Sequence, residues 1–385
     1  MLNISENLIC FGCRACEKSC NKKAISMRED KEGFLRPFIN HSQCNNCGLC
    51  LKVCPAINGD TIKHNDGKIY AAQVKDKDLL FKSSSGGIFS AIANYTFENK
   101  GVVFGPTFDD KMNLAHIAIE STEELVKLRG SKYIQSDTAD SYEKVKNYLI
   151  NNRLVYFTGT PCQIAGLRMF LKKDYKNLIT SDLICHGTPS QKIFKRFVKQ
   201  MEQEKQCKIV NYFFRDKRKG WGCNSYAKFI RFGLFKGEIK YDINMEAYFN
   251  AFIKGHINRI DCYQCKFCTP QRVGDITLAD YWSIDNVHPD FPEDIKKGIS
   301  LISVNSEKGE KVWNIISPNI TYVLSSKENV LKTCNWNFHS ATILPPERTD
   351  SYERAFKDFK KFRRNYVKNG LFIYNLKSIY KKIFR

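Results

Sequence analysis

The chain has 385 residues, of which 43% are hydrophobic and 26% are charged, and its formal net charge is +21. This length and apolar content predict two or three globular domains and exclude an intrinsically disordered chain. No run of about 18 apolar residues suggests a membrane-spanning helix. The first residues lack the basic and apolar regions of a secretory signal, so we expect a cytoplasmic protein, in which 16 cysteines indicate metal ligation and not disulfides.

Two cysteine runs open the chain, and each has the spacing Cys-x2-Cys-x2-Cys-x3-Cys. In such a run three thiolates bind one cubane iron–sulfur cluster, and the fourth binds the neighbouring cluster. The spacing therefore predicts two 4Fe-4S clusters with crossed ligands. The first quartet is Cys10, Cys13, Cys16 and Cys54, and the second quartet is Cys44, Cys47, Cys50 and Cys20.

A structural zinc site is the alternative for these cysteines. Zinc sites usually combine two Cys-x2-Cys pairs across a longer loop, a pattern that neither run follows. The segment is instead similar to a bacterial two-cluster ferredoxin, which handles electrons. We expect a ferredoxin-like domain over residues 1–60, followed by a polar linker that contains the sequence GDTIKHNDGK.

Beyond the linker, strand-like and helical segments alternate. Apolar runs predict strands over 69–74, 102–108, 153–157 and 178–185. Three of them lead through turns rich in Gly, Ser and Thr into segments with helical periodicity. Such units in series favour an α/β core with parallel strands. The predicted fold class is therefore α+β or α/β, with a small ferredoxin-like domain, a mixed α/β domain in two regions (67–150 and 151–345) and a basic helical tail (346–385).

A third cysteine group, Cys262-x2-Cys265-x2-Cys268, supplies three ligands with ferredoxin spacing. A cubane needs a fourth ligand, which must come from elsewhere in the fold. Cys185 and Cys162 each lie at a strand–turn–helix junction, so both could reach one edge of the sheet. We favour Cys185, with Cys162 as the alternative fourth ligand; zinc or free thiols are the competing interpretation.

Two turns could bind a phosphate-bearing cofactor, because free amides at a helix start attract anions. The first contains Ser84, Ser85, Gly86 and Gly87, and the second contains Thr158, Gly159, Thr160, Pro161 and Gln163. For either turn alone, an ordinary helix cap explains the residues equally well. Neither is a dinucleotide fingerprint or a Walker loop.

Several polar residues near these turns are further candidates. Lys132 could face a phosphate or a flavin carbonyl, Tyr133 could stack on a ring, and Gln135 lies beside them. Lys132 and His186 are the catalytic candidates, although His186 could equally be structural. The Gly-framed segment from Arg215 to Gly222 could bind an anion or form a solvated turn. The segment Gly274–Trp282 places two acids near the third cysteine group.

Six motifs in order carry a resemblance to a known family: the paired cysteine runs, then SSSGGIFSAIA, RGSKYIQS, FTGTPCQIAGLR, DLICHGTPS, and CYQCKFC with GDITLADYW. Over roughly residues 1–345 the chain resembles the coenzyme F420 hydrogenase/dehydrogenase beta subunit, fused to an N-terminal ferredoxin. The resemblance implies FAD at the residues named in the two turns and at Lys132, Tyr133 and Gln135. It also implies a third 4Fe-4S cluster on the third cysteine group and Cys185.

The resemblance implies an FAD and iron–sulfur dependent oxidoreductase. It would relay electrons from ferredoxin-type clusters to a two-electron acceptor, either F420 or a similar carrier. Bacterial members also suggest a surface-polysaccharide pathway. The alternative is an electron-transfer subunit of a larger complex without its own substrate. We expect an acidic ferredoxin or a deazaflavin as redox partner. The basic tail could bind an anionic membrane face, and it could equally be a solvated terminal helix. A nucleic-acid binder is not expected, because no recognition motif accompanies the charge.

Overall fold

The computed structural model describes residues 9–64 and 66–367. Within them the strands, in chain order, are β1 (Ile25–Glu29), β2 (Leu35–Ile39), β3 (Lys68–Val74), β4 (Val102–Phe108), β5 (Leu114–Ile119), β6 (Val155–Thr158), β7 (Leu178–Leu183), β8 (Lys208–Phe213), β9 (Tyr226–Arg231), β10 (Phe235–Ile239), β11 (Ile276–Asp280), β12 (Ser300–Val304) and β13 (Ile320–Ser325).

The α-helices of the same residues are α1 (Ala15–Lys18), α2 (Leu49–Lys52), α3 (Pro55–Asn58), α4 (Lys77–Phe81), α5 (Ile88–Glu98), α6 (Leu125–Leu128), α7 (Ser141–Ile150), α8 (Pro161–Leu171), α9 (Gln191–Lys205), α10 (Ile243–Ile253), α11 (Glu307–Ile316), α12 (Lys327–Leu331), α13 (Arg348–Lys357) and α14 (Phe359–Arg364). Short 3-10 turns lie between several of them.

The core of the molecule is an eight-stranded sheet with the order β13-β3-β12-β11-β7-β6-β4-β5. The four central strands β11, β7, β6 and β4 are parallel, whereas β5, β12, β3 and β13 pair antiparallel with their neighbours. Strands β3, β4, β6, β7 and β11 therefore end at one side of the sheet, which we call the carboxyl edge. The predicted parallel core is confirmed in the centre, and antiparallel strands extend it on both sides.

Both faces of the sheet are covered, which explains why its central strands are apolar along their whole length. Val102, Phe104 and Val155 point to the face covered by α7, α8 and the ferredoxin-like segment. The alternate residues Val103 and Tyr156 point to the opposite face, where α5 and α11 pack. Each central strand thus contributes to two hydrophobic cores, as expected from the alternation of side chains along a strand.

The ferredoxin-like segment packs directly on this sheet. Its Phe11, Ala15 and Val53 belong to the same apolar cluster as α7 and α8. The connector that the sequence predicts as a linker is also packed: residues Gly59–Ile62 form a 3-10 turn. A Cβ atom at Gly59 would lie 2.7 Å from the ring of Phe267, so no side chain fits there.

A separate layer contains the antiparallel sheet β8–β10 and helices α9, α10, α13 and α14 around an aromatic core. The predicted basic tail begins here, and its first half is not a free helix, because Tyr352, Phe359 and Phe362 are buried in that core. The rest of the tail, residues 368–385, lies outside the described residues. Among the described residues, no helix is both long and apolar enough to span a bilayer.

Candidate functional site: three cysteine groups on one sheet

The first quartet is enclosed between the ferredoxin-like segment and the sheet. Cys10, Cys13, Cys16 and Cys54 line one cavity, together with apolar residues such as Phe11, Pro37 and Pro55. Cys54 thus joins the three cysteines of the first run, which is the crossed arrangement that the spacing predicts. Burial raises the pKa of the Cys13 thiol to about 12, and the nearby Cys54 and Cys10 add to that rise.

The second quartet lies farther out. Cys20, Cys44 and Cys50 pack against Ile25 and Ile39 of the hairpin β1–β2. Cys47 is exposed. Burial is the largest cause that raises the pKa of Cys50, and the nearby Cys47 and Cys44 raise it further. The fourth cysteine of the first run, Cys20, therefore lies with cysteines of the second run, and Cys16 of the first run borders the same apolar cluster.

The two runs share one backbone geometry. In the first run Gly12 and Arg14 have positive φ angles of 66° and 64°, and in the second Asn46 and Gly48 have 55° and 71°. Each pair precedes a four-residue helix, α1 or α2. In both runs the amide two residues after the first cysteine donates to its sulfur, at 3.4 Å for Gly12 to Cys10 and 3.4 Å for Asn46 to Cys44. Amides aimed at sulfur suit a thiolate that ligates a cluster, whose potential such bonds help to set.

Five cysteines meet near the carboxyl edge to form the third group. Cys162 is in the first turn of α8, Cys185 follows β7, and the other three come from the loop that precedes β11. The Cys268 thiol lies 3.8 Å from the backbone oxygen of Cys185, and Cys162 interacts electrostatically with Cys265, Cys185 and Cys262. The structure thus brings both predicted fourth ligands to the group and does not choose between them.

A buried arginine holds the third cysteine loop against the end of β7. Arg272 is 1% exposed, and it donates to the backbone oxygens of Phe267, Thr269 and Leu183 at 3.0, 3.1 and 2.7 Å. Its charge is balanced by Asp182 at 3.4 Å. This arginine fixes where the third group sits relative to the sheet.

The third group consists of half-buried cysteines whose thiol protons a metal would have to displace. Burial raises the pKa of Cys185 to about 12 and that of Cys262 to about 11. The Cys268 thiol donates to Cys265, which lowers the pKa of Cys265 and raises that of Cys268. All-sulfur donor sets of this kind suit iron–sulfur clusters or zinc, and binding would release protons. Among the described residues, no group of three or more His, Cys, Asp or Glu is arranged to hold a single metal ion.

The first and third groups are in direct contact. The ring of Phe11, between Cys10 and Cys13, lies 5.6 Å from that of Phe267, between Cys265 and Cys268. Asp261, which precedes Cys262, accepts a hydrogen bond of 2.9 Å from the Cys10 amide. A Cβ atom at Gly166 of α8 would lie 2.8 Å from the Cys13 sulfur. Two cysteine groups that are far apart in sequence are thereby joined into one unit.

Arg259 and Asp261 are functional candidates that the sequence analysis missed. Arg259 is 1% exposed and donates to the backbone oxygens of Cys10 at 2.6 Å and Leu35 at 3.0 Å, and to the side chain of Gln135 at 3.1 Å. Asp261 also pairs with Arg36 at 2.7 Å. The signal available in the sequence was the location of Arg259 and Asp261, three and one positions before Cys262.

The predicted phosphate turn at Ser84–Gly87 lies at the carboxyl edge, and much of its polar surface is already bonded. The Gly86 amide donates to the Ser300 hydroxyl at 2.9 Å, and the Ser85 hydroxyl donates to the Ile299 oxygen at 2.8 Å. The Ser84 hydroxyl accepts from the Ser131 amide at 3.0 Å. A Cβ atom at Gly86 would lie 2.2 Å from the Ala72 oxygen, so close packing on β3 already explains that glycine.

The second turn, Thr158–Gln163, lies at the same edge and forms a helix cap. The Thr160 amide donates to the Gln163 side chain at 3.0 Å, in a capping box that starts α8 with Pro161 in its first turn. The Gly159 amide donates to the Ser181 oxygen at 3.1 Å. The capped-helix alternative therefore accounts for these residues, and the turn is rigid.

Lys132 and His186 are occupied by the protein itself. The Lys132 ammonium donates to the oxygens of Leu128 at 2.7 Å and Arg129 at 2.9 Å, at the end of α6, and burial lowers its pKa to about 7. The two ring nitrogens of His186 lie 3.1 Å from the Asn337 side chain and 3.1 Å from the Phe252 oxygen. Both contacts are typical of structural residues.

Tyr133 and Gln135 also have protein partners. The Tyr133 ring stacks on Phe252 at 4.9 Å, and its hydroxyl accepts from Arg215 at 3.2 Å. The Gln135 side-chain amide donates to the Phe11 oxygen at 2.6 Å. Gln135 thus lies at the junction between the first cysteine run and the body of the chain, away from the Ser84–Gly87 turn.

The Arg215–Gly222 segment is more than a solvated turn, because it closes over the carboxyl edge. Arg215 pairs with Asp280 through two bonds, of 2.7 and 3.1 Å, and also donates to the Ser84 oxygen at 3.0 Å. Trp221 stacks on Trp282 with a centroid distance of 4.5 Å and donates to Asp280 at 2.8 Å. The other acid of the predicted pair, Asp275, accepts from the Thr180 hydroxyl at 2.7 Å and lies in the interior.

Comparison with known families agrees with this architecture. Residues 69–142 match the N-terminal part of the family described as "Coenzyme F420 hydrogenase/dehydrogenase, beta subunit", and residues 152–329 match its C-terminal part. The chain belongs to the coenzyme F420 hydrogenase/dehydrogenase beta-subunit family. Residues 9–57 match a 4Fe-4S dicluster domain. The resemblance seen in the sequence is confirmed, and so is the combination of a ferredoxin-type segment with a mixed α/β body.

Curated relatives that match the body of this F420 family member include two archaeal proteins. It is 25% identical over 194 residues to one subunit of the F(420)H(2) dehydrogenase of Methanosarcina mazei, covering 46% of this chain and 53% of that protein. It is 26% identical over 325 residues to "Coenzyme F420-dependent sulfite reductase" of Methanocaldococcus jannaschii, covering 81% and 47%. The chain thus spans about half the length of these relatives.

The N-terminal segment has its own relative. It is 36% identical over 56 residues to "Ferredoxin-type protein NapF" of Haemophilus influenzae, covering 14% of this chain and 32% of that protein. Together with the dicluster match, this similarity supports 4Fe-4S binding by the two N-terminal runs and places the chain among iron–sulfur proteins of electron transfer.

Proposed function

We propose that this chain is an iron–sulfur oxidoreductase that relays electrons from its two N-terminal clusters, through a third cluster, to a two-electron carrier. The observation that carries the proposal is the contact between the first and third cysteine groups, made by Phe11 with Phe267 and by Cys10 with Asp261. Structural zinc sites need no such contact, whereas electron transfer requires redox groups that lie close together.

The third cluster would be held by Cys262, Cys265 and Cys268, with Cys185 or Cys162 as fourth ligand. Both cysteines are half-buried beside the other three, and desolvation raises the pKa of each thiol. A cubane takes four thiolates, so one of the five cysteines would remain a thiol. We favour Cys185, because its backbone oxygen contacts the Cys268 thiol.

The carrier end of the relay would lie at the carboxyl edge, where open α/β sheets commonly bind ligands. A bound FAD would supply the exchange between one-electron and two-electron chemistry. Helix α5 begins at Gly87 without a side-chain cap, so its first amides suit a phosphate. Ser84, Ser85 and Gly86 would shape the loop ahead of those amides, because their own hydroxyl and amide groups are already bonded. Lys132, Tyr133, Gln135 and the Thr158–Gln163 turn would support the surrounding loops.

The acceptor that we favour is coenzyme F420 or a similar deazaflavin, because two curated relatives carry that coenzyme in their names. The second candidate function is an electron-transfer subunit that works only within a larger complex. The observation that favours it is the length comparison, since the chain spans 53% and 47% of those relatives.

The test is anaerobic purification followed by iron, sulfide and flavin analysis. Three cubanes predict about twelve irons per chain, and extraction should release one FAD. C185S and C162S variants should differ: the variant that removes the fourth ligand loses about four irons, while the other retains them. C334S, which changes an exposed cysteine, is the matched control. Iron content of about eight without flavin would refute the relay.

F420 reduction by the isolated chain, assayed with a chemically reduced ferredoxin as donor, separates the two candidate functions. Turnover supports an enzyme with its own acceptor. A chain with full cluster and flavin content but no turnover supports a subunit of a larger complex.

A further inference from the structure

The two N-terminal quartets differ in exposure at one cysteine each: three cysteines of each quartet are half-buried, but Cys13 of the first is buried and Cys47 of the second is exposed. The first is enclosed, with Cys13 only 8% exposed and Gly166 of α8 against its sulfur. The second opens to solvent: Cys47 is exposed, and a Cβ atom at Gly48 would find nothing within 4 Å. A redox partner protein can therefore approach the second quartet at Cys47, whereas helix α8 packs against the most buried cysteine of the first.

The surface around the second quartet is basic. Residues 18–28 and 38–58 contain no Asp or Glu. Lys22 and Lys23 follow Cys20, and Lys52 follows Cys50 on α2; all three lysines are exposed. Among residues 9–64 and 66–367, no acid pairs with any of these three ammonium groups. Of the acids that border these stretches, Glu17 pairs with Arg14 at 2.5 Å and Asp60 pairs with Lys63 and Lys266 at 2.7 Å each, while Glu29 is exposed on β1.

Two exposed apolar side chains also belong to the acid-free stretch 38–58. Phe38 is 40% exposed beneath the guanidinium of Arg28, which lies 3.3 Å from the ring centroid, and Ile57 is 39% exposed. Unpaired charge around a small apolar area is suited to short-lived contact with a protein of opposite charge, because the charge speeds encounter and the apolar area adds little affinity.

We propose that this surface, which we call the lysine face (Lys22, Lys23 and Lys52 around the loop 44–48), is the docking site for an acidic one-electron carrier protein. Electrons would enter at the second cluster and pass inward to the first. In each encounter the carrier is oxidised by one electron and the second cluster is reduced by one, and no bond or proton is exchanged. The inference rests on the proposed function, because it requires the N-terminal clusters.

The experiment uses the full chain with its clusters reconstituted, and the triple variant K22E/K23E/K52E. The probe is an acidic two-cluster ferredoxin in its reduced form, and stopped-flow absorbance follows electron transfer to the chain. We expect the second-order rate constant to fall at least tenfold in the variant at low ionic strength. The difference should shrink as salt is added, because salt screens exposed charges.

Two controls make the result specific. The triple variant K111E/K176E/K311E changes the net charge equally at exposed lysines of the α/β body and should keep most of the rate. Reduction by the methyl viologen radical, a small cation, should not slow in the lysine-face variant, which shows that the clusters still accept electrons.

Each other outcome counts against the proposal in a defined way. Equal losses in both triple variants would mean that net charge, and not this face, governs encounter. An unchanged rate would overturn the docking site outright. The chain can also be sedimented with vesicles of anionic phosphatidylglycerol. If the chain binds these vesicles, the K22E/K23E/K52E variant alone does not, and the ferredoxin rates are unchanged, the lysine face would be reassigned to contact with a membrane surface. Absence of the N-terminal clusters in the unmodified chain would instead refute the proposed function.

Discussion

Replacing Arg272 with methionine should loosen the third cysteine loop while leaving the first two quartets in place. Arg272 supplies hydrogen bonds to three backbone oxygens, at Phe267, Thr269 and Leu183, and balances Asp182. Methionine retains much of the apolar stem but none of the donors. The three oxygens and the Asp182 charge then lose a partner in a site from which water is largely excluded.

The magnitude follows from those contacts. Removing one partner of a buried ion pair costs about 3–5 kcal/mol. Asp182 moderates the loss, because it keeps the hydroxyl of Thr277 at 2.5 Å and the amides of Val273 and Gly274 at 3.2 and 3.3 Å. We therefore expect about 3 kcal/mol, a large part of the roughly 5–15 kcal/mol that stabilises a typical domain.

Urea unfolding of the apo-protein, followed by circular dichroism, measures the change in the free energy of unfolding. Iron analysis of the reconstituted protein should show a selective loss of about four irons. The matched control is R354M, because Arg354 is 42% exposed in a pair with Asp350, and such pairs contribute about 0–1 kcal/mol. A loss below about 1 kcal/mol in R272M, or an equal loss in R354M, would contradict the role assigned to Arg272.

Three further predictions concern single residues. D261N should raise the midpoint potential of the first cluster, because the positive charges of Arg36 and Arg259 beside Cys10 lose their carboxylate partner. An EPR-monitored redox titration measures the potential, and D30N, which removes the other carboxylate that pairs with Arg36, is the comparison. An unchanged potential in D261N would exclude the effect. G166V should lower the free energy of unfolding by about 1–3 kcal/mol through overpacking, because a Cβ atom at residue 166 would lie 2.8 Å from both Cys13 and Tyr142. It should also lower the iron content of the first quartet. G222V is the control, and full iron content in G166V would count against this packing. His116 is buried, and its pKa is lowered from 6.5 to about 4. Between pH 6.5 and pH 4 the unfolded chain therefore binds more protons than the folded chain, so the free energy of unfolding should fall by about 3 kcal/mol as pH drops from 7 to 4. The H116Q variant should lose that part of the pH dependence, whereas H41Q should not.

Local pattern was enough to predict the ferredoxin-type segment and four of the eight strands of the main sheet. The cysteine spacing depends on a short loop that wraps one cluster, so neighbouring residues contain the information. The strands at 69–74 and 102–108 were likewise predicted from apolar runs, because both faces of the central sheet are covered. The order of the strands could not be predicted, since β3 pairs with β12 and β13, which are more than 200 residues away.

The role of polar residues was harder to predict, because it depends on partners distant in sequence. Lys132 suits a phosphate by residue type, but its ammonium is used at the end of α6. The Arg215–Gly222 segment was interpreted as a turn, and only the fold shows its ion pair with Asp280. Asp261 drew no attention in the sequence because its partner, the Cys10 amide, is 251 positions away.

The packing of the first cysteine run has a kinetic consequence. A redox module that swings on a tether delivers electrons at a rate that falls as the solvent becomes more viscous. Here Phe11 lies on Phe267, Cys13 lies on Gly166 and Cys10 is bonded to Asp261, so the module is fixed on the sheet. In the proposed relay, passage of an electron between the first and third groups needs no large movement, and its rate should be the same in water and in glycerol solutions.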